Sequence, residues 1–142
     1  MATPDERERC VRVAVGLLQT RNLRSISMLK DCLTYIPSPI SIRNILTTAV
    51  IELVSSAPTT ICWLLDHPEC LQPEVNVTQI VTQELSDRLT NLGFVQGQDF
   101  YVNASQEFEV SEAAKLALFA QSQVLNIQDP RPIVDYLQNK SL

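Results

Sequence analysis

Apolar residues recur three or four positions apart along most of this 142-residue chain, a spacing that places them on one face of an α-helix. The clearest example begins after Asn76, which can cap a helix, and ends at Gly93, which suits a left-handed helix end. Its apolar face holds Val77, Ile80, Val81, Leu85, Leu89 and Leu92. The pattern predicts a mainly helical fold.

Prolines and capping residues divide the remaining pattern into further helices. Ser111 can cap a helix whose apolar positions are Leu116, Ala117, Ala120 and Val124. Five other helices are predicted. The first begins with Thr3-Pro4-Asp5-Glu6, the next three span 25–36, 42–54 and 61–66, and the last is a turn or two after Pro130. We therefore expect a compact bundle of about six helices, with helical hairpins in the N-terminal half.

The helical spacing stops between residues 94 and 110. Three short apolar segments there are separated by turn-forming residues, namely Phe94-Val95, Phe100-Tyr101-Val102 and Phe108-Glu109-Val110. This pattern predicts a small β ribbon near residues 94–110.

The length and composition predict one domain spanning residues 1–142. Apolar residues make up 45% of the chain and charged residues 19%, which is enough apolar material for a core. Pro68 and Pro73 lie in a predicted loop at 66–76, a possible seam between the two halves. The charged first residues do not look like a signal peptide, so we expect a cytoplasmic protein without membrane contact.

Chemical motifs are scarce. His67 is the one histidine, and the three glycines match neither a P-loop nor a dinucleotide-binding pattern. Cys62, His67 and Cys70 lie close together, but a fourth zinc ligand cannot be assigned, so we predict free thiols and no metal. Three of the four cysteines lie where helical spacing would bury them. We expect no catalytic residues and no cofactor.

The order of a helix, Leu92-Gly93-Phe94, β segments and then Ser111-Glu112-Ala113-Ala114-Lys115 resembles the end of a winged-helix domain. The resemblance covers roughly residues 59–125 and implies that the helix before the ribbon is a recognition helix. In DNA-binding members that helix presents Arg and Lys, whereas here Glu84 and Asp87 outnumber Arg88. Residues 59–142 hold four basic and eleven acidic residues, which argues against specific nucleic-acid binding.

Four residues are candidates for an interaction surface. Arg21, Arg24 and Arg43 have no obvious partner within their own helices, and Trp63 is the one tryptophan, which would anchor an interface if it were exposed. The sequence favours a non-catalytic protein-interaction or regulatory module acting by homo- or hetero-association. A winged-helix-like transcription regulator is the alternative, and a small enzyme is the third possibility.

Overall fold

The computed structural model describes residues 4–35, 41–102 and 108–139. Within these ranges the protein is mainly helical, with seven α-helices, a 3₁₀ turn at Pro68–Cys70 and one two-stranded sheet. In chain order the elements are α1 (Pro4–Gln19), α2 (Leu23–Leu33), α3 (Ile42–Ser56), α4 (Pro58–Asp66), α5 (Val77–Asn91), β1 (Phe100–Val102), β2 (Phe108–Val110), α6 (Glu112–Leu125) and α7 (Arg131–Asn139). The predicted mainly helical fold is confirmed, with one helix more than expected.

Helix α3 lies at the centre of the bundle and packs against α1, α4 and α5. Its first turn is capped by Ser41, whose Oγ accepts a hydrogen bond from the backbone N–H of Asn44 at 3.1 Å. Its buried residues are Ile45, Leu46, Ala49, Val50, Leu53 and Val54. The predicted start at residue 42 is confirmed.

Helix α2 begins earlier than the predicted residue 25. The side chain of Asn22 accepts from the backbone N–H groups of Arg24 and Ser25 at 2.9 and 3.2 Å, so α2 starts at Leu23. Arg21 before it adopts a left-handed conformation, with φ of 53°, which turns the chain from α1 into α2. The predicted cap Thr3 and the predicted end at Ile36 lie outside the described residues.

The predicted loop at 66–76 is packed into the protein. Leu71 and Val75 are buried, and Leu71 follows the 3₁₀ turn directly. The Lys30 ammonium of α2 donates to the Gln72 carbonyl at 2.6 Å and lies 2.8 Å from Glu74 Oε2. The Lys30 side chain lowers the pKa of the Glu74 carboxyl group by hydrogen bonding to its charged form. One apolar cluster contains buried residues from both sides of this segment.

The β ribbon is smaller than the predicted region. β1 pairs with β2 antiparallel, with Phe100 opposite Val110 and Val102 opposite Phe108. The prediction that Phe94-Val95 is extended β structure is wrong. The backbone N–H of Val95 donates to the Asp99 carboxylate at 2.9 Å, and the N–H of Asp99 donates to the Val95 carbonyl at 2.9 Å, so these residues form a turn.

The two C-terminal helices pack differently. α7 lies against α4 and β2 and buries Ile133, Val134 and Leu137. α6 packs on α5 and α7 through Ala114, Leu118 and Ser122. The remaining circumference of α6 is therefore less covered than that of the central helices.

Candidate interaction surface

Helix α6 is defined clearly at both ends. Ser111 Oγ accepts from the backbone N–H of Ala114 at 3.2 Å, as expected of an N-cap. At the other end Asn126 adopts a left-handed conformation, with φ of 55°, and terminates the helix. These two caps fix the first and last residues of the helix.

The side of α6 opposite its buried stripe carries apolar side chains. Leu116 is 61% exposed and Val124 is 84% exposed. Ala113 and Ala120 are exposed on the same side, since the four positions are three or four residues apart. We call Ala113, Leu116, Ala120 and Val124 the α6 outer face. Leu125, which is 57% exposed, extends the apolar surface at the C-terminal end of the helix.

The α6 outer face is also free of charge. The chain has no charged residue from 116 to 128. Lys115, just before this stretch, lies 3.4 Å from Glu112 and 3.7 Å from Asp135, so its charge is directed away from the outer face and towards α7. Contiguous exposed apolar surface of this kind is typical of an association site.

The sequence identified the apolar positions of α6 but not the side that faces the core. Leu116, Ala120 and Val124 form a helical stripe as predicted, yet they are exposed. The core-facing stripe contains Ser122, which is tolerated because its hydroxyl donates to the Phe119 carbonyl at 2.6 Å. The absence of charge from 116 to 128 was the available signal of an unusual outer side, because the solvent-facing side of a surface helix normally carries charged or polar residues.

Arg21 and Arg24, two of the predicted interaction residues, lie at the start of α2. The Arg21 guanidinium donates to Thr59 Oγ1 at 3.0 Å, which connects the α1–α2 turn to the first turn of α4. Arg24 is exposed in the first turn of α2. Arg21 therefore has an intramolecular contact, and the two arginines lie on different elements from the α6 outer face.

Arg43, the third predicted residue, lines a cleft between α3 and α5. The cleft has a volume of about 550 Å³. Its walls combine residues of the first turns of both helices, including Asn44 and Gln79, with residues further along them, such as Asp87. Near the opposite ends of these helices Arg88 donates to Ser55 Oγ at 2.6 Å, so α3 and α5 run in the same direction. Arg43 therefore lies on a different element from Arg21 and Arg24.

Trp63 is half-buried in α4 and packs against the core. Its ring stacks on that of His67, with centroids 4.4 Å apart. His67 Nδ1 lies 2.9 Å from the Trp63 carbonyl oxygen, so the imidazole caps the end of α4. Trp63 and His67 therefore support the C-terminal end of α4.

The environments of Cys62 and Cys70 disfavour the thiolate form. Burial raises the pKa of the Cys62 thiol, and the nearby Asp66 carboxylate raises it further. Burial followed by the charge of Glu69 raises the pKa of Cys70. Nucleophilic thiols need the opposite shift. The prediction that three cysteines are buried is wrong: Cys70 is buried, Cys10 and Cys62 are half-buried, and Cys32 is exposed.

Helix α5, the candidate recognition helix, presents no cationic surface. Its single arginine, Arg88, lies 3.3 Å from Glu84 and also donates to Ser55 of α3. Gln83 and Asp87 are exposed on α5 and hydrogen-bond to each other at 2.9 Å. The electrostatic attraction to phosphate that DNA binding requires is therefore missing from this helix.

Two further properties concern metals and membranes. Among residues 4–35, 41–102 and 108–139, no three His, Cys, Asp or Glu side chains are grouped closely enough to hold a metal ion. Within the same ranges no helix combines the length and the apolar character needed to cross a membrane.

Comparison with protein-family models, curated proteins and solved structures finds no significant match to this chain.

Proposed function

We propose that the protein is a non-catalytic interaction module that associates through the α6 outer face. The observation that carries this proposal is the exposure of Leu116 and Val124, at 61% and 84%, on a capped helix without nearby charge. Removing such side chains from water stabilises an interface by up to about 1.5–3 kcal/mol for each one that becomes fully buried.

The chemistry of the other candidate sites supports the same proposal. The thiols of Cys62 and Cys70 hold their protons more tightly than usual. His67 interacts with Trp63 of its own helix. These groups act as structural contacts, which is consistent with binding rather than catalysis.

The test compares two variants that place a charge at equally exposed apolar positions. Leu116→Glu changes the α6 outer face, and Met28→Glu changes α2, where Met28 is 60% exposed. We expect both variants to fold, because each side chain is largely in solvent. Only Leu116→Glu should weaken association by about tenfold or more, since it introduces an unpaired carboxylate into the interface.

Association is measured as self-association by sedimentation and as binding of other proteins by chemical cross-linking in the native cell with mass spectrometry. If Leu116→Glu and Met28→Glu weakened association equally, the α6 outer face would not be the association site. Absence of any association in both measurements would overturn the proposed function.

A further inference from the structure

Two of the carboxylates that line the cleft between α3 and α5 are neutralised by cations of the protein itself. Glu74 Oε2 lies 2.8 Å from the Lys30 ammonium, and Glu84 Oε1 lies 3.3 Å from Arg88 Nε. The side chains of both pairs are largely shielded from solvent. These two carboxylates therefore add little net charge to the cleft.

The other two ionic residues of the cleft are Arg43 and Asp87, and neither has an ionic partner among the residues that the structure describes. Arg43 is the second residue of α3, whose first turn holds no acidic residue, so the helix dipole adds to its charge instead of offsetting it. Asp87 accepts a hydrogen bond from the uncharged amide of Gln83 at 2.9 Å. The cleft therefore presents one uncompensated cation and one uncompensated anion.

These two charges lie towards opposite ends of the cleft. The two helices run in the same direction, and Arg43 is in the first turn of α3 whereas Asp87 is well beyond the first turn of α5. The lining residues extend from Arg43 to Ile51 on α3 and from Gln79 to Asp87 on α5. At a rise of 1.5 Å per residue, each of these stretches is about 12 Å long. A ligand that contacts both charges must span about this distance.

The wall between the two charges offers hydrogen-bonding groups. Asn44 and Thr47 of α3 and Gln79 of α5 line it, and their side chains make no hydrogen bond to another residue in the described ranges. A side-chain amide presents a donor and an acceptor, which are the two groups that a peptide bond needs. Ile51 and Ile80 add apolar surface beside them.

We propose that this cleft binds an extended peptide segment of another protein, one that carries an acidic and a basic side chain four residues apart. Residues four apart in an extended chain point to the same face and lie about 13 Å from each other, which matches the length of the cleft. The acidic side chain contacts Arg43, the basic side chain contacts Asp87, and the main chain between them hydrogen-bonds to Asn44 and Gln79. This inference does not rest on the proposed function, because no residue of the α6 outer face lines the cleft.

The exposure of the cleft favours an extended chain over a small molecule. Sites for small molecules are mainly apolar and enclose most of the ligand. Here Arg43, Asn44, Gln79 and Asp87 are all exposed, so a ligand that lies on them keeps one side in water. An extended peptide suits this surface because its side chains alternate between the cleft and solvent.

The test is binding of a synthetic peptide, acetyl-Glu-Thr-Ile-Thr-Lys-amide, to the full chain, followed by the NMR chemical shifts of the backbone amides. Thr and Ile favour an extended backbone, and the blocked ends leave only the two side-chain charges. Because the contacts are few and exposed, we expect a dissociation constant of about 1 mM. The largest shifts should occur at Asn44, Gln79 and their neighbours.

Arg43→Glu tests the charge complementarity by reversing one end of the cleft. This variant should bind the Glu/Lys peptide about fivefold more weakly, which is the size of effect that one exposed ion pair produces. It should instead prefer acetyl-Lys-Thr-Ile-Thr-Lys-amide, whose two ammonium groups then face a carboxylate at each end. Arg24→Glu is the matched control, because Arg24 is also exposed and the second residue of its helix, but lies on α2 outside the cleft. The control changes the net charge equally and should leave the preference for the Glu/Lys peptide unchanged.

Three outcomes would overturn the peptide site. The first is an absence of shifts in the cleft up to about 10 mM peptide, ten times the expected dissociation constant. The second is a preference that changes equally in Arg43→Glu and Arg24→Glu. The third is equally tight binding of ω-aminooctanoate, a zwitterion without peptide bonds, which would make the ligand a small molecule.

Leu116→Glu separates this inference from the proposed function. The variant should bind the Glu/Lys peptide as the parent does, because Leu116 lies outside the cleft. A loss of peptide binding in Leu116→Glu would place the peptide on the α6 outer face and overturn the cleft as its site.

Discussion

A single hydrogen bond from Tyr136 connects α7 to α4. Its hydroxyl donates to the Asp66 carboxylate at the end of α4. Burial, followed by this hydrogen bond, raises the pKa of Tyr136 to about 12 from its usual 10.0. Because the folded protein holds this proton more tightly, the resulting stabilisation is present below pH 10 and is lost as the pH rises through about 12.

Replacing Tyr136 with Phe should lower the free energy of unfolding at neutral pH by about 1 kcal/mol, the usual size of one hydrogen bond. Denaturant unfolding measures this loss. Ultraviolet titration of the wild type should show a tyrosine that ionises near pH 12, and this component should be absent from Tyr136→Phe. A late ionisation that persists in the variant would show that another group causes it.

Two helices illustrate how context decides the role of an apolar face. On α5, Leu85 is fully buried against the rest of the bundle. On α6, the stripe containing Leu116 has the same spacing and is exposed. The apolar stripe has the same spacing in the two helices, so the packing of neighbouring elements decides which stripe is buried.

Leu85→Glu should reduce the free energy of unfolding by more than about 4 kcal/mol, since an unpaired carboxylate would be buried in the core. Leu116→Glu, measured at low protein concentration, should change it by no more than about 0.5 kcal/mol. Thermal melts followed by circular dichroism compare the two. A normally stable Leu85→Glu protein would mean that the α5 face is not core.

At the scale of the whole molecule, one apolar cluster spans both halves of the chain. It includes residues from α1 to α7 and the buried part of the segment at 66–76, such as Leu71. Lys30 adds polar contacts between α2 and that segment. A shared core of this kind couples the stability of the two halves.

The chain should therefore unfold in one cooperative transition. Fluorescence of Trp63 reports on α4 and circular dichroism reports on all the helices, so the two denaturation curves should coincide. Lys30→Met should lower the free energy of unfolding by about 1 kcal/mol and leave the two denaturation curves coincident. Two separate transitions would instead show that the segment at 66–76 divides the chain into independent units.

The amino-acid sequence by itself determined the helical fold, because capping residues and apolar spacing act within a few positions of each other. Asn76 and Ser111 cap the helices that their positions predicted. The two paired β segments were also predictable, since Phe100–Val102 and Phe108–Val110 are short apolar runs bounded by turn residues. The start of α2 differs from the prediction because Asn22 caps the helix, which begins two residues earlier than expected.

Only the tertiary structure decided which side of α6 faces the core. Both sides of that helix are largely apolar, so local spacing cannot distinguish them, and the choice depends on where α5 and α7 lie. The same reason explains why Arg21 contacts Thr59, which is 38 positions away in sequence. The α6 outer face was therefore visible in the sequence as apolar residues, but its exposure follows from long-range packing.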